Sequence, residues 1–363
     1  MSLVCHTPQP RRDEAKLTTP ARGASRKAAA KPGSALAKPG FTLEWPTLAV
    51  AAAIYGGFGL VTWYHAALPW WGELLLGSYL IAWHASLQHE AVHGHPTNRG
   101  WLNRLIVLPN LWLWLPYEIY RDTHLRHHRD HWLTDPVEDP ESYYIAPARW
   151  TLLGGVQRAL LRARNTLIGR LLLNPFFCVI GFYRREAQRL LQGEPRRLRI
   201  WALHGFAVAL VLGWVIAVAG LPLWQFLLLY VYPGIALAHL RSFLEHRAHP
   251  EVGGRTAIVE TGPLLSLLFL NNNLHAVHHA QPRLPWYRLP AVWRRDRAAI
   301  LAANHGYHLP SYGEILRRWA FTPKESPVHP LGGVERDSRS GARVAFAVEP
   351  DANGMDRHGR AAV

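Results

Sequence analysis

Three short stretches carry the residues that could do chemistry. THLRHHRDH, residues 123–131, contains an H-x-x-H-H pattern formed by His124, His127 and His128. On a helix, positions i, i+3 and i+4 share one face, so the three imidazoles converge. Neutral imidazole is a common ligand for iron, copper, zinc and nickel. LQHEAVHGHP sets His89 and His93 four apart, again on one helical face. NNNLHAVHHAQP repeats H-x-x-H-H as His275, His278 and His279. One such cluster would carry little weight in a chain with 21 His. Two copies of one spacing plus an H-x-x-x-H supply enough imidazoles for two metal ions and too many for one.

The elements that must position these residues can be read from charge and hydropathy. No Lys or Arg occurs between Lys38 and Arg99 or between Arg199 and Arg241. The 40 Lys+Arg fall as 8 before residue 40, 16 in 99–199 and 16 from 241 on. Both basic-free windows are apolar and rich in Trp, which reads as membrane-embedded. The basic blocks read as cytoplasmic by the positive-inside rule. A helix crossing ~30 Å of hydrocarbon needs ~20 residues, and spans are expected at about 45–64, 70–88, 200–220 and 221–244. Pro69 and the Gly220-Leu221-Pro222 stretch break them into two hairpins. The fold expected is an all-α integral membrane protein: four transmembrane helices in two hairpins, with a cytoplasmic helical cap holding the metal site. Residues 41–322 would form this domain. Residues 1–40 and 323–363, rich in Ala, Pro, Gly and Arg, are expected to be disordered tails.

Between the hairpins the pattern changes. Residues 104–120 are apolar but interrupted by Pro109, Asn110 and Pro116, which suits a re-entrant or interfacial helix. Trp112 and Trp114 within them could line an acyl tunnel, and interfacial anchoring is the blander reading. Residues 149–199 mix Arg with apolar patches and read as amphipathic helices at the cytoplasmic surface. All three histidine stretches then emerge on one membrane face, at helix ends. Mid-membrane ligands would suggest a metal pathway, but the spans carry no paired ligands, which disfavours a metal transporter or sensor. The net charge of +15 is accounted for by topology and anionic headgroups rather than nucleic acid. The two cysteines, Cys5 and Cys178, form neither a disulfide framework nor a C-x-x-C pair.

HEAVH, HLRHH and HAVHH, spaced between two hairpins, resemble the membrane fatty acid desaturase superfamily over roughly residues 45–310. This is the integral-membrane, histidine-ligated di-iron family, which also contains alkane hydroxylases and carotenoid hydroxylases and ketolases. The resemblance implies two irons that activate O2 and remove hydrogen from an unactivated C–H bond. It implies an acyl chain as substrate, and as the alternative a carotenoid, alkane or other small hydrophobic molecule that is hydroxylated or ketolated. It implies a further histidine where the last membrane helix ends: His246 is the choice, His239 the rival seven residues deeper. An Asn before the third box can contact metal-bound water in some members, and Asn272 fits best. His95 and His131 flank the boxes as possible second-shell or alternative ligands, with surface histidine favoured. Glu90, Asp135, Glu138 and Asp139 could orient ligating imidazoles, as carboxylates often do. The tail's HPLGG departs from a haem-binding HPGG, so electrons are expected from a separate protein of ferredoxin, rubredoxin or cytochrome b5 type. The Arg-rich segment 184–199 is its candidate dock. The expected location is a bacterial inner membrane with the termini and site cytoplasmic.

Overall fold

The computed structural model describes residues 41–331 and the backbone of two further strands, Val334–Arg336 and Arg343–Ala345. The expected N-terminal tail, 1–40, lies outside the described residues. The first two helices, α1 (Trp45–Trp63) and α2 (Trp70–Val92), pack against each other. A short α3 (Gly100–Ile106) and the box helix α4 (Tyr117–His127) follow. Next come α5 (Pro147–Thr151), α6 (Gly155–Ala163) and the long α7 (Leu167–Leu191). Two further apolar helices are α8 (Pro195–Val218) and α9 (Leu223–Ser242). The chain ends in α10 (Pro263–Leu268), α11 (His275–Ala280), α12 (Leu289–Ala303) and α13 (Tyr312–Trp319). Two short parallel strands, β1 (Ile258–Val259) and β2 (His308–Leu309), tie these last segments together.

Four of these helices are long and apolar enough to cross a membrane: α1, α7, α8 and α9. This set differs from the expected one in two places. The helix expected over 70–88 is present as α2, but Glu73, His84, Gln88, His89 and Glu90 lower its apolarity. All five are buried, because α2 packs against α1 on one side and α9 on the other. Its polarity therefore faces protein. Conversely, the stretch 149–199, expected to give amphipathic surface helices, contains α7, one helix of 25 residues that is long and apolar enough to cross. Its two ends are both tied to the histidine end of the molecule. Arg170, near its start, lies over the rings of Tyr143 and Phe243, three residues from His246. Glu186, near its end, pairs with Arg197 of α8 at 3.1 Å, and the adjacent Arg196 meets Asp122 of α4, two residues from His124.

Close packing in the bundle depends on small residues where α2 and α9 meet. A Cβ on Gly77 would fall 2.3 Å from the Tyr230 ring, and one on Gly234 would fall 2.5 Å from Ile81. Small residues at such positions let membrane helices approach closely. The buried Glu73 is satisfied there by Gln225 Nε2 at 2.8 Å and by the Tyr230 hydroxyl at 3.0 Å. A buried carboxylate without such donors would be costly.

The segment 107–116 is neither a re-entrant nor an interfacial helix. It is an irregular plug, with Leu111, Trp112, Trp114 and Leu115 all buried. Its prolines deny it a helix, and side chains satisfy its carbonyls: Asn110 Nδ2 donates to Leu115 O at 2.7 Å and His204 Nε2 to Leu113 O at 2.9 Å. Irregular backbone at membrane depth is tolerated only when enclosed in this way. The interfacial role expected for Trp112 and Trp114 is thereby overturned. Nor does the chain leave the domain at residue 322. Lys324 Nζ donates to His246 O at 2.8 Å, and His329, in the expected tail, is buried with its amide on Ile145 O at 3.0 Å.

Candidate metal centre

Helix ends deliver the histidines. His89 lies in the last turn of α2 and His93 caps it. His124 and His127 lie in the last turn of α4, with His128 as its cap. His278 and His279 lie in the last turn of α11. The dipole at a helix C-terminus favours positive charge, so three elements present the end that suits a cation. His246 follows the end of α9 and is fixed by a bridge to Thr256.

These nine histidines gather into two groups. His89, His93, His124, His128 and His278 form one, and His127, His246, His275 and His279 the other. Within each group the candidate ligand nitrogens all lie within 4.8 Å of one another. The division cuts across the sequence motifs and follows helical geometry. Every i, i+4 pair (His89 with His93, His124 with His128, His275 with His279) stays in one group, since four residues return to nearly the same face. The i+3 members, His127 and His278, cross to the other group.

The inner nitrogens face one another. His124 Nε2 lies 3.0 Å from His93 Nε2 and 3.1 Å from His128 Nε2. His278 Nε2 lies 3.1 Å from His128 Nε2, and His246 Nε2 lies 3.0 Å from both His127 Nε2 and His275 Nε2. Several neutral imidazoles cannot all hydrogen-bond through converging lone pairs, but a shared cation satisfies every one. Metal–nitrogen bonds of ~2.1 Å at right angles place the nitrogens ~3.0 Å apart, against ~3.4 Å for a tetrahedral edge. The donor set therefore fits a metal ion in each group.

The outer nitrogens explain why the inner ones point inward. His124 Nδ1 donates to Glu141 at 3.0 Å and His127 Nδ1 to Asp139 at 2.8 Å. His275 Nδ1 lies 3.1 Å from Asn272 Oδ1, and His246 Nδ1 lies 3.3 Å from Arg255 O. A proton held on Nδ1 leaves the Nε2 lone pair for a metal. Burial pushes His124, His246, His275 and His278 well below the usual imidazole range, with neighbouring imidazoles adding to the effect, so they are neutral without metal. His127 differs: burial lowers it too, but Asp139 and Glu141 outweigh burial and hold it up at about 9.

Asn272 touches both groups, since its Nδ2 lies 3.3 Å from His89 Nε2. His239 joins neither: it is buried against Asn174 at 3.3 Å. His95 belongs to neither group and pairs with Glu44 at 2.7 Å, and His131 is exposed against Trp132. Among the expected carboxylates, Asp139 holds a box histidine, His127, within hydrogen-bond distance. Glu90 Oε1 stands 3.6 Å from His89 Nδ1 and its other oxygen accepts Trp286 N. Asp135 accepts amides of its own loop, and Glu138 offers its carbonyl to Arg126. Sequence reasoning missed Glu141 and Glu245. Glu245 lies 3.5 Å from His275 Nδ1, and Arg241 at 2.6 Å keeps it ionised against the effect of burial. Glu141 ends the same acidic loop as Asp139, and the adjacency of Glu245 to His246 was the signal for the other.

On one flank of the first group stands a buried aromatic wall. Tyr120 lies 5.4 Å from the His124 ring, Trp112 follows at 6.4 Å from Tyr120, and Trp114 lies 5.5 Å from Trp112. A search of curated proteins returns no match. The family model for fatty acid desaturases matches residues 62–311, a stretch that holds all nine grouped histidines. With that match over most of its length, the chain belongs to the fatty acid desaturase family.

Proposed function

We propose that this chain is an O2-dependent di-iron membrane oxidoreductase that introduces a double bond into an acyl chain. The observation that carries the reading is the pair of inward-facing imidazole groups, five and four, inside a member of this family. An all-imidazole donor set of this size suits iron among the divalent metals that take nitrogen ligands. When bound, the iron pair would supply reduction of O2 and removal of hydrogen from an unactivated C–H bond, with two electrons from an external donor protein. The chain's own share is positional. Glu141, Asp139 and Asn272 lock three imidazoles in one tautomer and orientation. The wall of Trp112, Trp114 and Tyr120 excludes water on one side of the site and offers an apolar surface to a hydrocarbon chain. Fixing one methylene against the metals is what selects it for reaction.

In the membrane, we place α1 with α2 and α8 with α9 as the two crossing hairpins. Trp63, Trp70, Trp71 and Trp224 stand exposed at their far ends, as in an aromatic belt. A helix of 25 residues is ~37 Å long at 1.5 Å per residue, and a crossing α7 would carry its ends to opposite faces. Because both ends meet elements of the histidine side, α7 lies along the interface. The site and termini are then cytoplasmic, in a bacterial inner membrane. The donor docks on the basic end of α7 and the start of α8. Arg189, Arg196 and Arg197 there are engaged by Glu186 and Asp122, while Arg184 and Arg199 are exposed.

Lipid profiling by mass spectrometry tests the reading. A host expressing the chain should gain unsaturated acyl species that a His127→Ala host lacks. Hydroxylated products instead would assign the sister reaction, and identical profiles would contradict the proposal.

A further inference from the structure

The aromatic wall beside the first imidazole group does not stop at Trp114. The Trp114 ring lies 5.4 Å from that of Phe182, and Phe182 lies 6.0 Å from Trp201 and 5.7 Å from Tyr183. Tyr183 and Trp201 are in turn 5.6 Å apart. With Tyr120 and Trp112, these rings form a continuous row that starts at His124 and ends at the surface. Each step falls within the roughly 4.5–7 Å of touching aromatic rings. The row runs from α4 through the plug to the end of α7 and the start of α8. Its two ends differ. Tyr120, Trp112 and Trp114 are at most 4% exposed, whereas Trp201 is half-buried and Tyr183 is 40% exposed. The outer end also falls inside the basic patch: Tyr183 precedes Arg184, and Trp201 stands two residues after Arg199.

Packing accounts for any one of these contacts, but not for the choice of rings. All but Phe182 are indoles or phenols, the aromatic side chains that give up an electron most readily. Phe182 cannot hold the resulting charge, yet it fills the space between Trp114 and Trp201, so no step crosses aliphatic packing. Energetics give the row a direction. A positive charge on a buried indole lacks solvation. The N–H groups of Trp112 and Trp114 and the Tyr120 hydroxyl are buried with no acceptor among the described residues, so Tyr120 cannot release the proton that oxidation of a phenol expels. The Trp201 N–H instead donates to the Glu186 carboxylate at 3.2 Å, which also holds Arg197, and a nearby opposite charge favours a charged form. Tyr183, being exposed, can pass its proton to water. An electron vacancy created near His124 is therefore more stable at the outer end.

We propose that this row is an escape route for oxidising equivalents. Resting on the di-iron and O2 reading above, it operates when O2 is activated with no substrate in place. One electron at a time then passes inward along the rings, and the vacancy left behind reaches Trp201 and Tyr183. An external one-electron donor on the basic patch refills it, and any proton that Tyr183 has passed to water returns with that electron. One electron enters at the surface for each that reaches the metal group, and the chain is left unchanged. Without the row, the imidazoles themselves are the nearest groups to be oxidised.

The test uses the full chain, iron-loaded in lipid nanodiscs. It is reduced with dithionite, desalted and exposed to O2 without substrate or donor protein, over repeated cycles. Oxidised side chains are mapped by peptide mass spectrometry, with the zinc-loaded chain as the blank and iron measured on the same samples. We expect oxidation to concentrate on Trp201 and Tyr183, above Trp45, Trp70 and Trp224, which are more exposed but off the row. Trp114→Phe interrupts the row with a ring that does not hold the charge. It should lower oxidation of Trp201 and Tyr183 several-fold and raise that of Trp112, Tyr120 and His124. Trp112→Phe interrupts it one ring deeper and decides the matter if Trp114→Phe does not fold. Oxidation that simply follows exposure, none above the blank, or a pattern unchanged in the variants overturns the escape route while the bound iron still stands. A chain that takes up no iron sinks the metal reading, and the route with it.

Discussion

At the scale of single residues, the account rests on which nitrogen of each imidazole faces inward. His246 and His239 make the sharpest contrast. His246 contributes an Nε2 3.0 Å from two other imidazoles, whereas His239 spends its ring on Asn174. We expect His246→Ala to lower bound iron from about two to about one per chain, because the four-imidazole group loses a central ligand. His239→Ala should keep both irons. Elemental analysis of the two purified variants checks this, and the reverse pattern would move the centre about two helical turns toward the membrane. The box histidines were legible in the sequence because their geometry is local: one helical turn sets it. The division into five and four was not, since it depends on how α2, α4, α11 and the end of α9 converge. Glu141 was missed for a related reason. It stands 17 residues from His124, and only the folding of the acidic loop brings them together.

At the scale of elements, α2 and α7 are the instructive pair. Apolarity marks α7 as a span and passes over α2, and the topology proposed above reverses that reading on the strength of burial and end contacts. The polar residues of α2 face protein, while α7 presents Leu172, Phe176 and Ile180 outward and keeps its ends at the histidine side. Hydropathy cannot separate a helix that crosses lipid from one that lies on it; the contacts at its two ends can. Reporter fusions examine this. Fusions at Ala67 and Gly220 should read outside, and one at Gly193, in the turn between α7 and α8, should read inside. A Gly193 fusion that reads outside would mean that α7 crosses. The plug at 107–116 shows a different limit. Its prolines announced the break, but Trp112 and Trp114 looked like interfacial anchors because sequence alone does not reveal that a loop is enclosed.

At the scale of the whole molecule, the charge pattern, the bundle and the candidate metal centre fit the proposed arrangement, with apolar hairpins on one side and a basic, histidine-bearing layer on the other. An external donor reaching that layer would be steered by exposed Arg184 and Arg199. Such steering is screened over about 8 Å at physiological ionic strength. Donor-limited turnover should therefore fall several-fold as salt rises, and Arg184→Glu with Arg199→Glu should flatten that dependence. A salt-independent rate would locate the dock elsewhere. Simpler than any of these is the proposal that the two buried imidazole groups hold two irons. Elemental analysis of the wild-type chain, purified after iron-replete, zinc-limited expression, tests it directly. The account expects about two Fe per chain, with little zinc. One metal per chain, or stoichiometric zinc in place of iron, would contradict it.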